Sequence, residues 1–259
     1  MKKGYAPIIL ILCVLIISAA GCSTDGGRQD NIQGDQSYRM NDFRKAIEFY
    51  NKAISADKTG ACGTPAAGTA YIHRGLCYLR MGLYNPAIAD FTAVIQLDGS
   101  NYSAYDSRAL AYQQLGMVSN AAADYRQSLT INPTNVNCFN NVGILYDRLG
   151  LFDLAISNYD FAIKLRTNYS QAYVNKGLAY YNRSNYTAAI LVYNAGQKMD
   201  PKNIQIYLSR GNAYMASGRY KQAADDYQSG LNLIRIKPEY ISYSSVFQEA
   251  LQAARSRMK

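Results

Sequence analysis

The chain has 259 residues, of which 49% are hydrophobic and 17% are charged, and its formal net charge is +9. These proportions are typical of a globular protein and exclude disordered, collagen-like and disulfide-rich chains. One histidine and five cysteines leave little material for a metal site or a catalytic triad, so neither a metal nor a cofactor is expected. The positive charge reflects a shortage of acidic residues, not blocks of Lys and Arg, so nucleic acid is not an expected partner.

Residues 1–21 have the organisation of an export signal. Two lysines precede the apolar stretch 8–17, which is too short for a transmembrane helix, and small residues follow it. Residues 19–22, Ala-Ala-Gly-Cys, resemble a bacterial lipobox, which implies that Cys22 is lipidated and becomes the mature N-terminus. Ala19 stands where the lipobox favours Leu, so cleavage after Ala20 by an ordinary signal peptidase and an uncleaved anchor remain alternatives.

Residues 22–36 are polar and contain glycines, which predicts a flexible tether spanning about 20 Å. The tether would hold the folded part of the chain close to a membrane. By resemblance to the sorting of Gram-negative lipoproteins, Ser23 directly after the cysteine suggests the outer membrane. The expected location is therefore the cell envelope, with a lipid anchor on the periplasmic face of the outer membrane if the source is Gram-negative.

From residue 37 onward the sequence repeats with a fixed period. Five alanines lie 34 residues apart, and aromatic residues and glycines return at constant distances from each of them. Such a period predicts stacked helix pairs, because one pair cannot bury its apolar faces alone. Most of the 24 tyrosines occupy repeat positions, so they are expected to form the scaffold. The five alanines are Ala87, Ala121, Ala155, Ala189 and Ala223.

The repeated positions resemble the tetratricopeptide repeat (TPR), with Tyr or Phe in place of its first tryptophan. In the first full unit they are Tyr71, Gly75, Tyr78, Gly82, Tyr84, Ala87 and Phe91. The resemblance implies an all-α fold, a right-handed α-solenoid of stacked antiparallel helix pairs. We expect five units over 68–237, a degenerate first repeat with an inserted loop over 37–67, and a capping helix over 238–259.

Cations and acids follow the same period. The residue before the glycine position is Arg74, Arg108 or Arg210 in three units, and an aspartate lies sixteen residues after each. We therefore predict an ion pair between the two helices of these units. In the fourth unit, Lys176 faces Val192, so an unpaired Lys176 is either a functional side chain or a solvated one.

A second set of first-helix positions points away from the partner helix, and in TPR proteins those positions line a concave groove that binds a peptide or protein. Exposed apolar surface of this kind marks a protein partner. Four of the side chains, Leu76, Leu110, Ile144 and Leu178, could instead pack against the next repeat. The predicted partner-binding residues are Ile72, Leu76, Leu79, Leu110, Ile144, Val174, Leu178, Tyr181, Leu208 and Met215.

The sequence therefore predicts a membrane-tethered, non-enzymatic scaffold that binds an envelope protein. The alternative is a carbohydrate-binding or hydrolytic protein, for which Asp106 and Asp147 are the only acidic pair expected on the groove. His73 is expected to be structural or superficial, because no other ligand type accompanies it. A disulfide between Cys62 and Cys77 is open, since an exported protein meets oxidising conditions.

Overall fold

The computed structural model describes residues 24–56 and 65–258. Every regular element in these ranges is a helix, which confirms the predicted all-α class. The chain divides into two compact units, one ending at Leu97 and one beginning at Asp98. The first unit contains α1 Thr24–Arg39, α2 Phe43–Ala56, α3 Pro65–Arg80 and α4 Tyr84–Leu97. The second contains α5 Tyr102–Gln114, α6 Val118–Ile131, α7 Val136–Arg148, α8 Phe152–Leu165, α9 Ser170–Asn182, α10 Tyr186–Met199, α11 Ile204–Ala216, α12 Tyr220–Ile236 and α13 Ser244–Ser256, with a 3-10 helix over Pro238–Tyr243.

The predicted tether is wrong from residue 24 onward, because α1 begins at Thr24 and packs against α2 and α3. A stripe of small buried side chains faces the neighbouring helices: Gly27, Asn31, Gly34 and Ser37. At Gly34 the approach is so close that a Cβ atom would overlap the buried Tyr50 ring. The first helix pair therefore begins at residue 24 and not at 37, and its polar first helix docks through small residues.

Within the second unit, each odd-numbered helix from α5 to α11 pairs with the helix that follows it. Successive pairs stack, with α8 against α9 and α10 against α11. The C-terminal helix α13 covers α12, and its Phe247 is fully buried over Gly230. Pro238 opens the 3-10 helix, so the α-helical part of the predicted cap begins at Ser244. Stacked helix pairs with a terminal cap are thus present in this unit, as the repeat predicted.

Second-helix aromatic side chains form the centre of each pair. Sixteen residues after the glycine of the first helix, or after Ala109 in the second full repeat, the second helix carries a ring with almost no solvent exposure. The predicted role of these tyrosines as scaffold is confirmed for the second helices. The rings belong to Tyr50, Phe91, Tyr125, Tyr159, Tyr193 and Tyr227.

The turn within each pair requires a left-handed backbone conformation. Four of these turns use glycine, for example Gly82 with φ of 72°. The first pair uses Asn41 with φ of 60°, and the fourth full unit uses Ser184 with φ of 59°. Asn41 thus occupies the glycine turn position of the first pair, which places α1 and α2 in the same repeat pattern as the later helices.

Candidate protein-binding surface

The predicted ion pairs between the two helices of a unit are present. Asp90 accepts hydrogen bonds from Arg74 Nε at 2.9 Å and from Nη2 at 2.6 Å. Arg108 pairs in the same way with Asp124, and Arg210 with Asp226, where both side chains are more than 90% buried. Forked contacts of this kind fix the first helix on the second, so these cations belong to the scaffold.

Lys176 is not unpaired. Its Nζ lies 2.5 Å from Oδ1 of Asp160 in the preceding unit, and 5.9 Å from the centre of the Tyr180 ring. Val192 offers no acceptor sixteen residues after the lysine, so the ammonium group turns to the acid sixteen residues before it. The prediction of a free cation at this position is wrong.

In the compact unit that ends at Leu97, the predicted surface contains an acidic side chain, Asp35, that was not predicted from the sequence. Tyr50 Oη donates to Asp35 Oδ1 at 2.7 Å, and His73 Nδ1 lies 2.7 Å from the same oxygen. Leu76 and these three side chains line a cavity of about 280 Å³. Ile72, Leu76 and Leu79 of α3 are half-buried, and among them Leu76 lines the cavity. Asp35 precedes Leu76 by 41 residues, the same spacing that separates the turn residues Asn41 and Gly82. This spacing could have identified Asp35 as the counterpart of Leu76 in the first helix pair.

In the compact unit that begins at Asp98, the predicted partner-binding residues differ in exposure. Leu178 is 42% exposed, whereas Val174 is only 7% exposed within a core cluster around Tyr193. Val174 therefore leaves the predicted surface. The remaining predicted side chains are half-buried, and several of them also pack against core clusters: Leu110, Ile144, Tyr181, Leu208 and Met215.

The polar positions among these residues join neighbouring first helices. Asn175 Nδ2 of α9 donates to Asn140 Oδ1 of α7 at 2.8 Å, and Asn182 donates to Asp147 at 3.4 Å. Asn135 Nδ2, at the start of α7, donates to Asp106 Oδ2 at 2.5 Å. Asp106 is thus held by the amide that caps α7, and Asp147 by an amide of the next repeat. We interpret them as links between stacked units.

Burial sets the acid–base behaviour of these groups. Burial raises the pKa of Asp106, although hydrogen bonds partly oppose this, and Asp106 Oδ1 is buried without a partner. Burial raises the pKa of Asp147 in the same direction. It also raises the pKa of the buried Cys77 thiol to about 12 and that of Cys138 further. Both thiols are therefore protonated at neutral pH.

Some predicted features lie outside the described residues, namely the export signal 1–21, the lipidation residue Cys22 and the loop cysteine Cys62. Within 24–56 and 65–258, no helix has the length and apolar character needed to cross a bilayer. The same ranges contain no cluster of three or more His, Cys, Asp or Glu side chains placed to hold a metal ion.

Family models cover most of the repeated part of the chain. A model described as "Tetratricopeptide repeat" matches residues 37–59, 68–101, 102–135 and 204–236, and one described as "TPR repeat" matches 177–218. The matched ranges together span more than half of the sequence. The chain belongs to the tetratricopeptide repeat family.

Solved TPR structures share this fold at low sequence identity. A tetratricopeptide repeat protein from Parabacteroides merdae is 19% identical, with 89% of this chain and 99% of that chain covered and a TM-score of 0.63. The Cut9–Hcn1 hetero-tetramer of the APC/C matches with 17% identity, coverage of 92% and 44%, and a TM-score of 0.69. PilF from Pseudomonas aeruginosa matches with 19% identity, coverage of 72% and 90%, and a TM-score of 0.56. These likenesses concern the fold.

A curated relative matches a shorter segment of the chain. The translocon protein 64 of the outer membrane of chloroplasts, from Pisum sativum, is 38% identical over 72 residues. This alignment spans 28% of the chain and 11% of that relative. The shared segment has the length of about two repeats.

Proposed function

We propose that this TPR protein is a membrane-tethered, non-enzymatic scaffold of the bacterial cell envelope, which binds a protein partner on the surface of its first helices. TPR repeats suggest a scaffold for protein–protein interaction. The membrane tether and the envelope location rest on the resemblance of residues 19–22 to a lipobox. The alternative of a carbohydrate-binding or hydrolytic protein gains no support from Asp106 and Asp147, because each carboxylate accepts a hydrogen bond from an amide.

One observation carries the binding proposal. Leu178, in the middle of α9, is 42% exposed, although its neighbours Gly177 and Ala179 are fully covered by the fold. Tyr181 lies on the next turn and keeps its ring 5.3 Å from Tyr186. A large apolar side chain at a regular repeat position on the first helices is a natural contact for a partner chain.

The position of α1 sharpens the proposed anchoring. One residue separates Cys22 from Thr24, the first residue of α1. Two residues of extended chain reach about 7 Å. A lipid on Cys22 would therefore hold the first helix pair directly at the membrane surface.

Crosslinking with a matched pair of variants tests the partner surface. Leu178→Glu places a charge on the first-helix surface, and Leu154→Glu places one at a similarly exposed leucine, 48% exposed, on the second helix α8. We expect the full-length Leu178→Glu protein to lose its main crosslinked partner and Leu154→Glu to keep it. Equal capture by both variants would contradict the proposed surface.

Intact-protein mass spectrometry of the membrane fraction tests the anchor. We expect the wild-type chain to begin at Cys22 with lipid attached, and Cys22→Ala to leave the membrane fraction. A wild-type mature chain that begins at Gly21 without lipid would disprove the anchor. That result would leave the partner surface to be judged by the leucine variants alone.

A further inference from the structure

The cation before the glycine position has the same surroundings in several units. Arg210 pairs with Asp226, lies 5.8 Å from the Tyr207 ring centre, and also donates to Asn194, sixteen residues before it, at 2.7 Å. Lys176 bonds to Asp160, which is again sixteen residues earlier. The cation thus fills a space between two successive second helices and is met there by oxygen acceptors.

The third full unit departs from this arrangement at all three positions. Val142 replaces the cation, Asn158 replaces the aspartate of its own second helix, and Arg126 stands sixteen residues before Val142. A cavity of about 520 Å³ lies between these residues, and all three line it. The space that a cation fills in other units is therefore open here, within the second unit of the structure.

The electrostatic character of this space is reversed. The other lining side chains include the apolar Leu129 and Leu145 and the ring of Tyr146. Asn158 Nδ2 donates to the Leu154 carbonyl oxygen at 2.8 Å, so this amide is tied to its own helix and adds no charge. Arg126 is exposed at the cavity and makes no side-chain ion pair among the described residues. A cation with no carboxylate faces an apolar space.

We infer that this cavity binds an acidic segment of a partner polypeptide, taking an apolar side chain between Val142, Leu129 and Tyr146 and a neighbouring carboxylate at Arg126. The guanidinium group supplies a forked donor that matches a carboxylate, and the apolar walls supply burial. Second helices and α7 line the cavity, so it is separate from the first-helix surface around Leu178. The inference does not depend on the proposed partner surface or on the membrane anchor.

Three probes that share a phenyl ring test the charge preference. Phenylacetate, benzyl alcohol and phenethylammonium are titrated into the full chain, and the methyl signals of Val142, Leu129 and Leu145 are followed by NMR. We expect phenylacetate to bind about tenfold more tightly than benzyl alcohol and phenethylammonium to bind weakest, as one charge-assisted contact predicts. Tighter binding of phenethylammonium would overturn the inference, because the cavity would then prefer a cation, like the side chain that occupies the equivalent space in other repeats.

Variants separate the two parts of the site. Arg126→Gln is expected to reduce phenylacetate binding about tenfold and to leave benzyl alcohol binding unchanged, whereas Lys221→Gln on α12 changes neither. Val142→Phe fills the cavity and is expected to abolish binding of both. If Val142→Phe lowers the melting temperature strongly, Arg126→Gln alone still decides the question. Unchanged phenylacetate binding in Arg126→Gln would overturn the inference.

Discussion

At the scale of single residues, two charged side chains that the fold removes from solvent differ in whether their polar atoms have partners. Arg210 is 7% exposed and is held by Asp226, Asn194 and Gln197. Asp106 is half-buried and has one oxygen without a partner. The partners of Arg210 compensate for the burial of its charge, whereas the unpaired oxygen of Asp106 lowers the free energy of unfolding.

Asp106→Asn is expected to raise the free energy of unfolding at neutral pH by roughly 1 kcal/mol, because it removes a buried charge with an unsatisfied oxygen. Burial raises the pKa of Asp106 in the folded state. The stability linked to its protonated form is therefore fully present below the unfolded pKa and is lost as the pH rises through the folded pKa. Urea unfolding should show the advantage of Asp106→Asn at pH 7 and a shrinking advantage near about pH 4.

The exposed Asp225→Asn provides the control for this experiment, because Asp225 lies beside the buried Asp226 but points to solvent. Its effect should stay within about 0.5 kcal/mol at neutral pH. A loss of stability in Asp106→Asn at pH 7 would show that the carboxylate itself is needed for the hydrogen bond from Asn135.

Arg210→Met is expected to lower the free energy of unfolding by about 3–5 kcal/mol, because it leaves the buried Asp226 carboxylate unpaired. The double variant Arg210→Met, Asp226→Leu should recover part of this loss, since no charge then remains buried. The exposed pair Arg183–Asp153 supplies the comparison, and Arg183→Met should cost about 1 kcal/mol or less. Calorimetric or urea unfolding of the wild type and the three variants measures these losses. Equal losses for the two single arginine variants would contradict the prediction.

At the scale of helices, the five full units could be predicted from the sequence and α1 could not. The later repeats carry aromatic and small residues at a period of 34, and in four of the five full repeats the second-helix ring packs directly on a first-helix glycine. Helix α1 offers the small residues Gly27, Gly34 and Ser37 instead of an apolar stripe, so its composition resembled a linker. Gly34, sixteen residues before Tyr50, was the one signal of the repeat in this segment.

The candidate surface was predictable only in part, for a related reason. Periodicity assigns a position to a helix face, but the exposure of that position depends on the side chain in the neighbouring unit. Val174 is covered by the core around Ile206, whereas the equivalent spacing left Leu178 exposed. The pairing of Lys176 with Asp160 was missed for the same reason. The sequence comparison matched each cation only with a residue of its own repeat, and Asp160 belongs to the preceding one.

Gly34→Ala tests whether α1 is part of the fold. The added methyl group would overlap the Tyr50 ring, so we expect a loss of about 1–3 kcal/mol and faster hydrogen exchange along α1. Gly68→Ala is the matched control, because nothing lies near its Cβ position within helix α3, and it should stabilise by up to about 1 kcal/mol. Equal, small effects of both substitutions would indicate that α1 does not dock on α2.

At the scale of the whole molecule, the fold class and the family followed from the repeat, and the partner did not. The buried second-helix rings and the Arg–Asp pairs of three repeats form contacts within the array. What differs from unit to unit is a few positions, such as Asp35, Leu178 and Val142. Of these, Leu178 and Val142 carry the proposed interactions.

Lys176 contacts Asp160, and Arg210 contacts Asn194, each in the preceding repeat. Each repeat is therefore matched to the one before it, and changing their order would break these contacts. Excision of residues 170–203 would bring Arg210 to face Asp160, a favourable exchange. Excision of residues 136–169, of the same length, would bring Lys176 to face Arg126 and set two cations together. We expect the first shortened protein to melt at a higher temperature than the second. Gain and loss of repeats during the history of such a gene would then be filtered by the charges on either side of each junction.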